Sequence, residues 1–310
     1  MSRHALRFGM RPLFLLCLTS CLAPPPTEPQ ARPGDDGSSR PADTGATGPF
    51  DTGSDDSGGG IGGASSGGAG DEGGTGGEGG DDEGGTGGAG GDPTTGSGGS
   101  GGPIGTGTAT VGAVSYAYHV PACAVAAGPS PVLFTQHGQG GTGAGMVTQW
   151  TSLADAECFI VIGQGSQSGN GWNFNTDVEG LGTLLEEVEA LWDIDTDRRI
   201  LHGYSAGAHW GYVVGLANSA TFGGLIVYAG AMNYAESYGV WPDGTQGSIP
   251  VAIGHGTADT VVPYAYAQQA EGALSAAGWP VELWAVEGGS HAYDRDHQAA
   301  AWAFVMAHID

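Results

Sequence analysis

Five residues, Gly203-Tyr204-Ser205-Ala206-Gly207, stand between the strand-like run Arg199-Ile200-Leu201-His202 and a stretch with helical spacing over 206–218. Glycines two places either side of a serine permit a turn so tight that a side chain at either one would strike neighbouring backbone. A strand entering such a turn and leaving it as a helix lifts the serine hydroxyl above the end of a sheet, where the helix N-terminus favours developing negative charge. Layered α/β architectures supply strand, turn and helix in that direct succession. Glycine is abundant in this chain, 62 of 310 residues, but the glycines of the N-terminal third have no strand or helix beside them.

Short runs rich in β-branched and aromatic residues recur at 111–120, 131–136, 158–163, 199–203, 224–229, 249–254 and 281–286, and these predict strands. Helical spacing falls between them at 144–156, 178–192, 206–218, 263–277 and 295–308, as in Leu181, Leu184, Leu185, Val188 and Leu191. Alternation of this kind predicts a mainly parallel sheet covered by helices on both faces, all within residues 109–310. Roughly 200 residues suffice for one domain with a substantial core. That segment holds 19 acidic residues against three arginines, a balance of −16, and the chain has no lysine. Phosphate-backbone binding needs clustered cations, so nucleic acid is excluded as a partner.

A serine hydroxyl needs a base, and in this kind of fold the acid and the histidine follow the serine in that order. After the run at 249–254 comes His255-Gly256-Thr257-Ala258-Asp259, which puts Asp259 in the loop beyond a strand. After the last run, Glu287-Gly288-Gly289-Ser290-His291 puts His291 in a glycine-rich loop before the final helix. Ser205 is read as nucleophile, His291 as general base then acid, and Asp259 as the carboxylate that orients it. Asp294, Asp296 and His297 are rivals that fall at or inside the predicted helix, where solvation is expected. An oxyanion hole takes one N–H from the residue after the nucleophile, Ala206, and a second from a loop after an early strand. His137-Gly138-Gln139-Gly140-Gly141 follows the run at 131–136, and Gln139 is the assigned donor with Gly138 as rival. His137 itself is read as structural. Trp172 and Tyr204 are candidate substrate contacts, with core packing the alternative for the Trp172-Asn173-Phe174 rings. The remaining histidines show no metal-ligand spacing, so neither metal nor cofactor is expected.

The N-terminus has a different character. Arg3, Arg7 and Arg11 precede the apolar run Leu13-Phe14-Leu15-Leu16-Cys17-Leu18, which predicts a secretory signal over 1–20. The run is shorter than the ~20 apolar residues of a membrane span. It ends in Leu18-Thr19-Ser20-Cys21, which resembles the bacterial lipobox; Cys21 is the expected lipidation site, by which the exported protein is anchored to a bacterial membrane, outer membrane or cell surface. Residues 21–108 are almost free of large apolar side chains and carry 14 acidic residues against Arg32 and Arg40, so a disordered, extended tether is expected. Within it an eleven-residue unit occurs twice, at 71–81 and 82–92, too short and glycine-rich for a solenoid. Export leaves Cys123 and Cys158 in an oxidising compartment, and a disulfide between them is expected, two buried free thiols being the alternative.

The ordered set of His137-Gly138, Asp177-Val178 before a long helix, Ile194-Asp195 with Arg198, Gly-Tyr-Ser-Ala-Gly, His-Gly-Thr-Ala-Asp with Val262-Pro263, and Gly-Gly-Ser-His resembles the polyhydroxybutyrate depolymerase and feruloyl esterase group of the α/β-hydrolases. The resemblance spans about residues 130–295. It implies a carboxylic ester hydrolase for polymeric or plant-derived esters, with the triad as assigned and no cofactor. Ala208 stands where that group commonly has a second glycine, and the His-Gly-x-x-Asp segment is shared with dienelactone hydrolases and phospholipase-like carboxylesterases. A peptidase on the same scaffold and a catalytically silent surface-binding lipoprotein are the competing readings.

Overall fold

The computed structural model describes residues 96–99, 101–169, 171–244 and 247–309. The expected signal peptide, Cys21 and the tether up to residue 95 lie outside the described residues.

Eight strands form one sheet: β1 (Gly105–Val111), β2 (Val114–Val120), β3 (Ser130–Gln136), β4 (Ile160–Gln164), β5 (Ile194–Tyr204), β6 (Gly224–Tyr228), β7 (Val251–Gly256) and β8 (Val281–Val286), in the order β1-β2-β4-β3-β5-β6-β7-β8. β3 through β8 pair in parallel, and the β1–β2 hairpin closes one edge in the antiparallel sense. Among the described residues seven α-helices accompany them: α1 (Ala122–Ala126), α2 (Gly143–Glu157), α3 (Thr176–Leu191), α4 (Ala206–Ala217), α5 (Asn233–Ser237), α6 (Ala265–Ala276) and α7 (Gln298–Ala307). No helix among the described residues is long and apolar enough to cross a membrane.

Period-two alternation along the strands divides the core between the two faces. Phe134, Ile162, Leu201, Val227 and Ile253 pack with α3, α4 and α6, whereas Leu133, Val161, Ile200, Ile226 and Ala252 pack with α2 and α7. Each fully buried Leu, Ile or Phe contributes about 1.5–3 kcal/mol, so a residue turned to the wrong face costs at both layers. This is the sheet covered on both faces that the alternation of runs predicted.

Two readings need correction. The run at 111–120 is not one strand: Gly112 takes a left-handed φ of 57° and turns β1 back onto β2. The folded domain also begins before residue 109, because residues that resemble tether are docked. Ser97 donates its hydroxyl to the carbonyls of Glu189 and Trp192 and accepts the N–H of Ile194. A side chain at Gly99 would collide with the Glu189 carbonyl, and one at Gly102 with the Trp192 indole. The glycines here serve close approach of backbone to backbone, which composition cannot distinguish from flexibility.

Cys123, on α1, and Cys158, which ends α2 in the left-handed conformation, are disulfide-bonded with Cα atoms 5.4 Å apart. The bond ties α1 to the C-terminal cap of α2, and the expected disulfide holds over the free-thiol alternative.

Candidate active site

β5 ends at Tyr204 and α4 begins at Ala206, so Ser205 alone makes the turn, at φ 52° and ψ −117°. A non-glycine residue at that φ is held there at a cost of order 1–3 kcal/mol by its surroundings. Added side chains show what holds it: one at Gly203 would strike the Gly207 carbonyl, and one at Gly207 the carbonyls of Gln136 and His137. The Ser205 N–H is also pinned to the Tyr228 carbonyl on β6, at 2.9 Å.

His291 arrives from the loop after β8. Its Nε2 lies 2.8 Å from Ser205 Oγ and its Nδ1 2.7 Å from Asp259 Oδ2. A carboxylate only accepts, so Nδ1 carries the proton and Nε2 is left to accept from the serine hydroxyl. Asp259 is buried in the loop after β7, and its other oxygen accepts the N–H groups of Val261 and Val262, both at 2.8 Å. Burial alone would raise this carboxyl's pKa; the hydrogen bonds from His291, Val262 and Val261, with the His291 charge, outweigh it and hold Asp259 below the ordinary carboxylate value. The structure thus brings together all three residues read from the sequence as a triad.

Two residues that support this group were quoted from the sequence only as parts of motifs, with no role assigned. His255 is fully buried, and its Nε2–H donates to the Val262 carbonyl at 2.7 Å while lying 3.3 Å from Asp259 Oδ2. It braces the turn that presents Asp259. Asp177, also buried, accepts the N–H of Gln167 at 2.7 Å and of Asn173 at 2.6 Å, clipping the loop that carries Trp172 to the start of α3. An acid just ahead of helical spacing was the available signal for Asp177; for His255 only its place four residues before Asp259 hinted at a role.

Ser205 opens into a cavity of about 650 Å³ whose wall includes Gln139, Ala206, Trp172, Phe174, His209, Asn233, Tyr234 and Val261. Gln139 and Ala206, the assigned oxyanion donors, are both at this wall, while the rival Gly138 is buried against the Tyr204 ring. Trp172 serves both of its readings: it lines the cavity, and it packs on His137 and Trp210 while its Nε1–H donates to the His137 carbonyl at 2.8 Å. Tyr204 is not at the wall. Its ring stacks behind His291 with centroids 5.6 Å apart, and its hydroxyl donates to the His291 carbonyl at 3.4 Å, so it backs the histidine. Burial, then the Asp259 charge, raises the Tyr204 pKa, keeping the phenol neutral. His209 faces the cavity stacked on Tyr234 at 4.3 Å; desolvation, then the His291 and His255 charges, push its pKa down to about 4.

Among the described residues that line the cavity none is Asp, Glu, Lys or Arg, in a chain of formal charge −25. Nor is any group of three or more His, Cys, Asp or Glu among the described residues placed to hold a metal ion.

Comparison with known proteins places this geometry. Acetyl xylan esterase from Aspergillus awamori superposes with a TM-score of 0.52 at 18% identity, covering 64% of this chain and 99% of that one. A ferulic acid esterase from Anaeromyces mucronatus, solved with ferulic acid, gives 0.52 at 15% identity over 66% and 89% of the two chains. S-formylglutathione hydrolase from Agrobacterium tumefaciens gives 0.52 at 14% identity over 66% and 95%. The fold is that of the α/β-hydrolases. Residues 173–309 match the phospholipase/carboxylesterase family model, a span that contains Ser205, Asp259 and His291. A bifunctional acetylxylan esterase/xylanase from Neocallimastix patriciarum is 28% identical over 161 residues, half of this chain but only 23% of that protein.

Proposed function

We propose that the protein hydrolyses carboxylic esters through an acyl-serine intermediate on Ser205. The observation that carries this is the unbroken chain Asp259 Oδ2, His291, Ser205 Oγ, with links of 2.7 and 2.8 Å, opening on an uncharged cavity. Ser205 Oγ attacks the ester carbonyl as its proton passes to His291 Nε2. Asp259 stabilises the imidazolium so formed, and backbone N–H groups of Ala206 and Gln139 receive the charge on the carbonyl oxygen. The intermediate collapses, the alcohol leaves with the proton from His291, and the acyl group remains on Ser205. Water then adds to the acyl-enzyme, giving its proton to His291; the carboxylic acid departs and the serine hydroxyl is restored.

The finer reading is an ester of a polymeric or plant-derived substrate, of the feruloyl or acetylated-polysaccharide kind. The aromatic wall of Trp172, Phe174 and Tyr234 and the names of the similar proteins support it. Polyhydroxybutyrate esters are the competing class. Hydrolysis of a panel from p-nitrophenyl acetate through longer acyl chains, methyl ferulate and hydroxybutyrate oligomers tests both levels. Turnover by wild type is expected, with a loss of at least about 10⁴-fold in Ser205→Ala. Turnover surviving that substitution would sink the mechanism, and peptide cleavage in place of ester cleavage would transfer it to a peptidase.

We further propose that the mature protein is a lipoprotein anchored through Cys21, on the strength of the basic n-region, the short apolar run and Leu-Thr-Ser-Cys. Palmitate labelling in a bacterial host that persists in Cys21→Ala would overturn this.

A further inference from the structure

A second cavity, of about 460 Å³, lies on the same edge of the sheet as Ser205, across the loop that follows β3. The loop is shared. Gln139 faces the nucleophile's cavity, and His137, Gly141 and Thr142 face the other one. His137 packs on Trp172 with centroids 4.8 Å apart and the rings tilted by 42°, so one aromatic pair forms the partition.

The lining is polar yet uncharged: among the described residues there, none is Asp, Glu, Lys or Arg. In its place stands a row of hydroxyls. Thr108 and Thr110 are two apart on β1 and so project from one face, and Thr110 is paired in register with Ser115 on β2. All three are exposed, and none has a side-chain hydrogen-bond partner among the described residues. Hydroxyls free to donate and to accept, without charge to select an ion, suit a neutral ligand bearing many hydroxyls of its own. Gly165 keeps this row open, since a side chain there would strike the Ser115 hydroxyl, while Gly143 and Gly163 let α2 and β4 meet backbone to backbone beneath it.

We propose that this cavity is a subsite for sugar residues on the alcohol side of the ester, binding the carbohydrate chain while the acyl group occupies the aromatic cavity at Ser205. The assignment rests on the esterase reading above. It makes the enzyme favour an ester borne on an oligosaccharide over the same acyl group on a small alcohol, because the remote contacts hold the chain in place.

Two variants of the full chain test it. Ser115→Trp fills the cavity from an exposed position, and the double variant Thr108→Val, Thr110→Val removes hydroxyls with little change of shape. The first readout is the ratio of kcat/KM for an acetylated xylo-oligosaccharide to that for p-nitrophenyl acetate, expected to fall about tenfold in each variant, chiefly through KM. The second is calorimetric binding of unesterified xylohexaose to Ser205→Ala, expected to be lost when either change is added. An unchanged ratio with unchanged binding overturns the subsite. Because the binding readout needs no turnover, the two readings fail separately: binding without any Ser205-dependent hydrolysis retires the esterase, and hydrolysis without binding retires the subsite.

Discussion

Two aspartate–histidine pairs meet in the loop after β8, where His291 and Asp294 are three residues apart, and they are wired alike. Asp259 accepts two backbone N–H groups, those of Val261 and Val262, on one oxygen and His291 Nδ1 on the other at 2.7 Å. Asp294 accepts the N–H groups of Asp296 and His297 on one oxygen and His297 Nδ1 on the other at 2.9 Å. Both aspartates are buried. The difference is reach. The first pair spans 32 positions and continues from Nε2 to Ser205; the second spans three, and its imidazole lies against Trp284 just before α7. A carboxylate on Nδ1 orients an imidazole, and chemistry enters only where the opposite nitrogen meets a hydroxyl that can be made nucleophilic. In the second pair the same wiring closes the turn that precedes α7.

Replacing one carboxylate at a time breaks the comparison most sharply. Asp259→Asn is expected to lower kcat on p-nitrophenyl acetate about 10⁴-fold, since an amide no longer fixes the tautomer or stabilises the imidazolium. Asp294→Asn is expected to leave kcat near the wild-type value while costing about 1–3 kcal/mol of stability, read from urea unfolding. Equal losses of kcat in the two variants would show that the pairs are not functionally distinct.

A third histidine sharpens the contrast with a smaller effect. His202 is fully buried on β5, and its Nδ1 meets the hydroxyl of Thr135 at 2.8 Å where the other two histidines meet a carboxylate. Burial pushes its pKa down to about 3. The unfolded chain therefore binds this proton near the ordinary histidine value and the folded chain does not, so stability falls as pH drops below about 6.5. Between pH 6.5 and 5 this amounts to about 2 kcal/mol, measurable as a shift in urea midpoint. His202→Phe should flatten that part of the profile; a profile of unchanged slope would mean that other groups carry it.

What was legible in the sequence was whatever depends on local geometry or chain order. Gly203 to Gly207 declared a turn because each glycine excludes a side chain from a defined place, and Ser205, Asp259 and His291 stood in the order the topology demands. Strand alternation announced the two-faced sheet. Residues 96–108 stayed hidden, because a glycine that admits a neighbouring carbonyl has the same letter as one that confers freedom. Asp294 was read as solvated for a related reason: its hydrogen-bond partners lie within three residues, and its burial comes from distant chain, Gly254 of β7 lying against its carboxylate. Tyr204 was read as a candidate substrate contact, yet strand residues alternate in direction, and its ring passes behind His291.

The docked segment that begins at Gly96 has a mechanical consequence. Gly96 bridges Asp195 near the start of β5, and Ser205 follows the end of the same strand, about 20 Å away, since Ile194 to Gly203 runs beside only Ser130 to Gln136 of β3 at 3.3 Å per residue. The domain is therefore gripped at its heel and works with its toe. A pull or an immobilising support applied upstream of Gly96 loads the edge farthest from the two cavities, which makes that end the natural handle for fixing the enzyme to a solid while leaving its working edge turned outward.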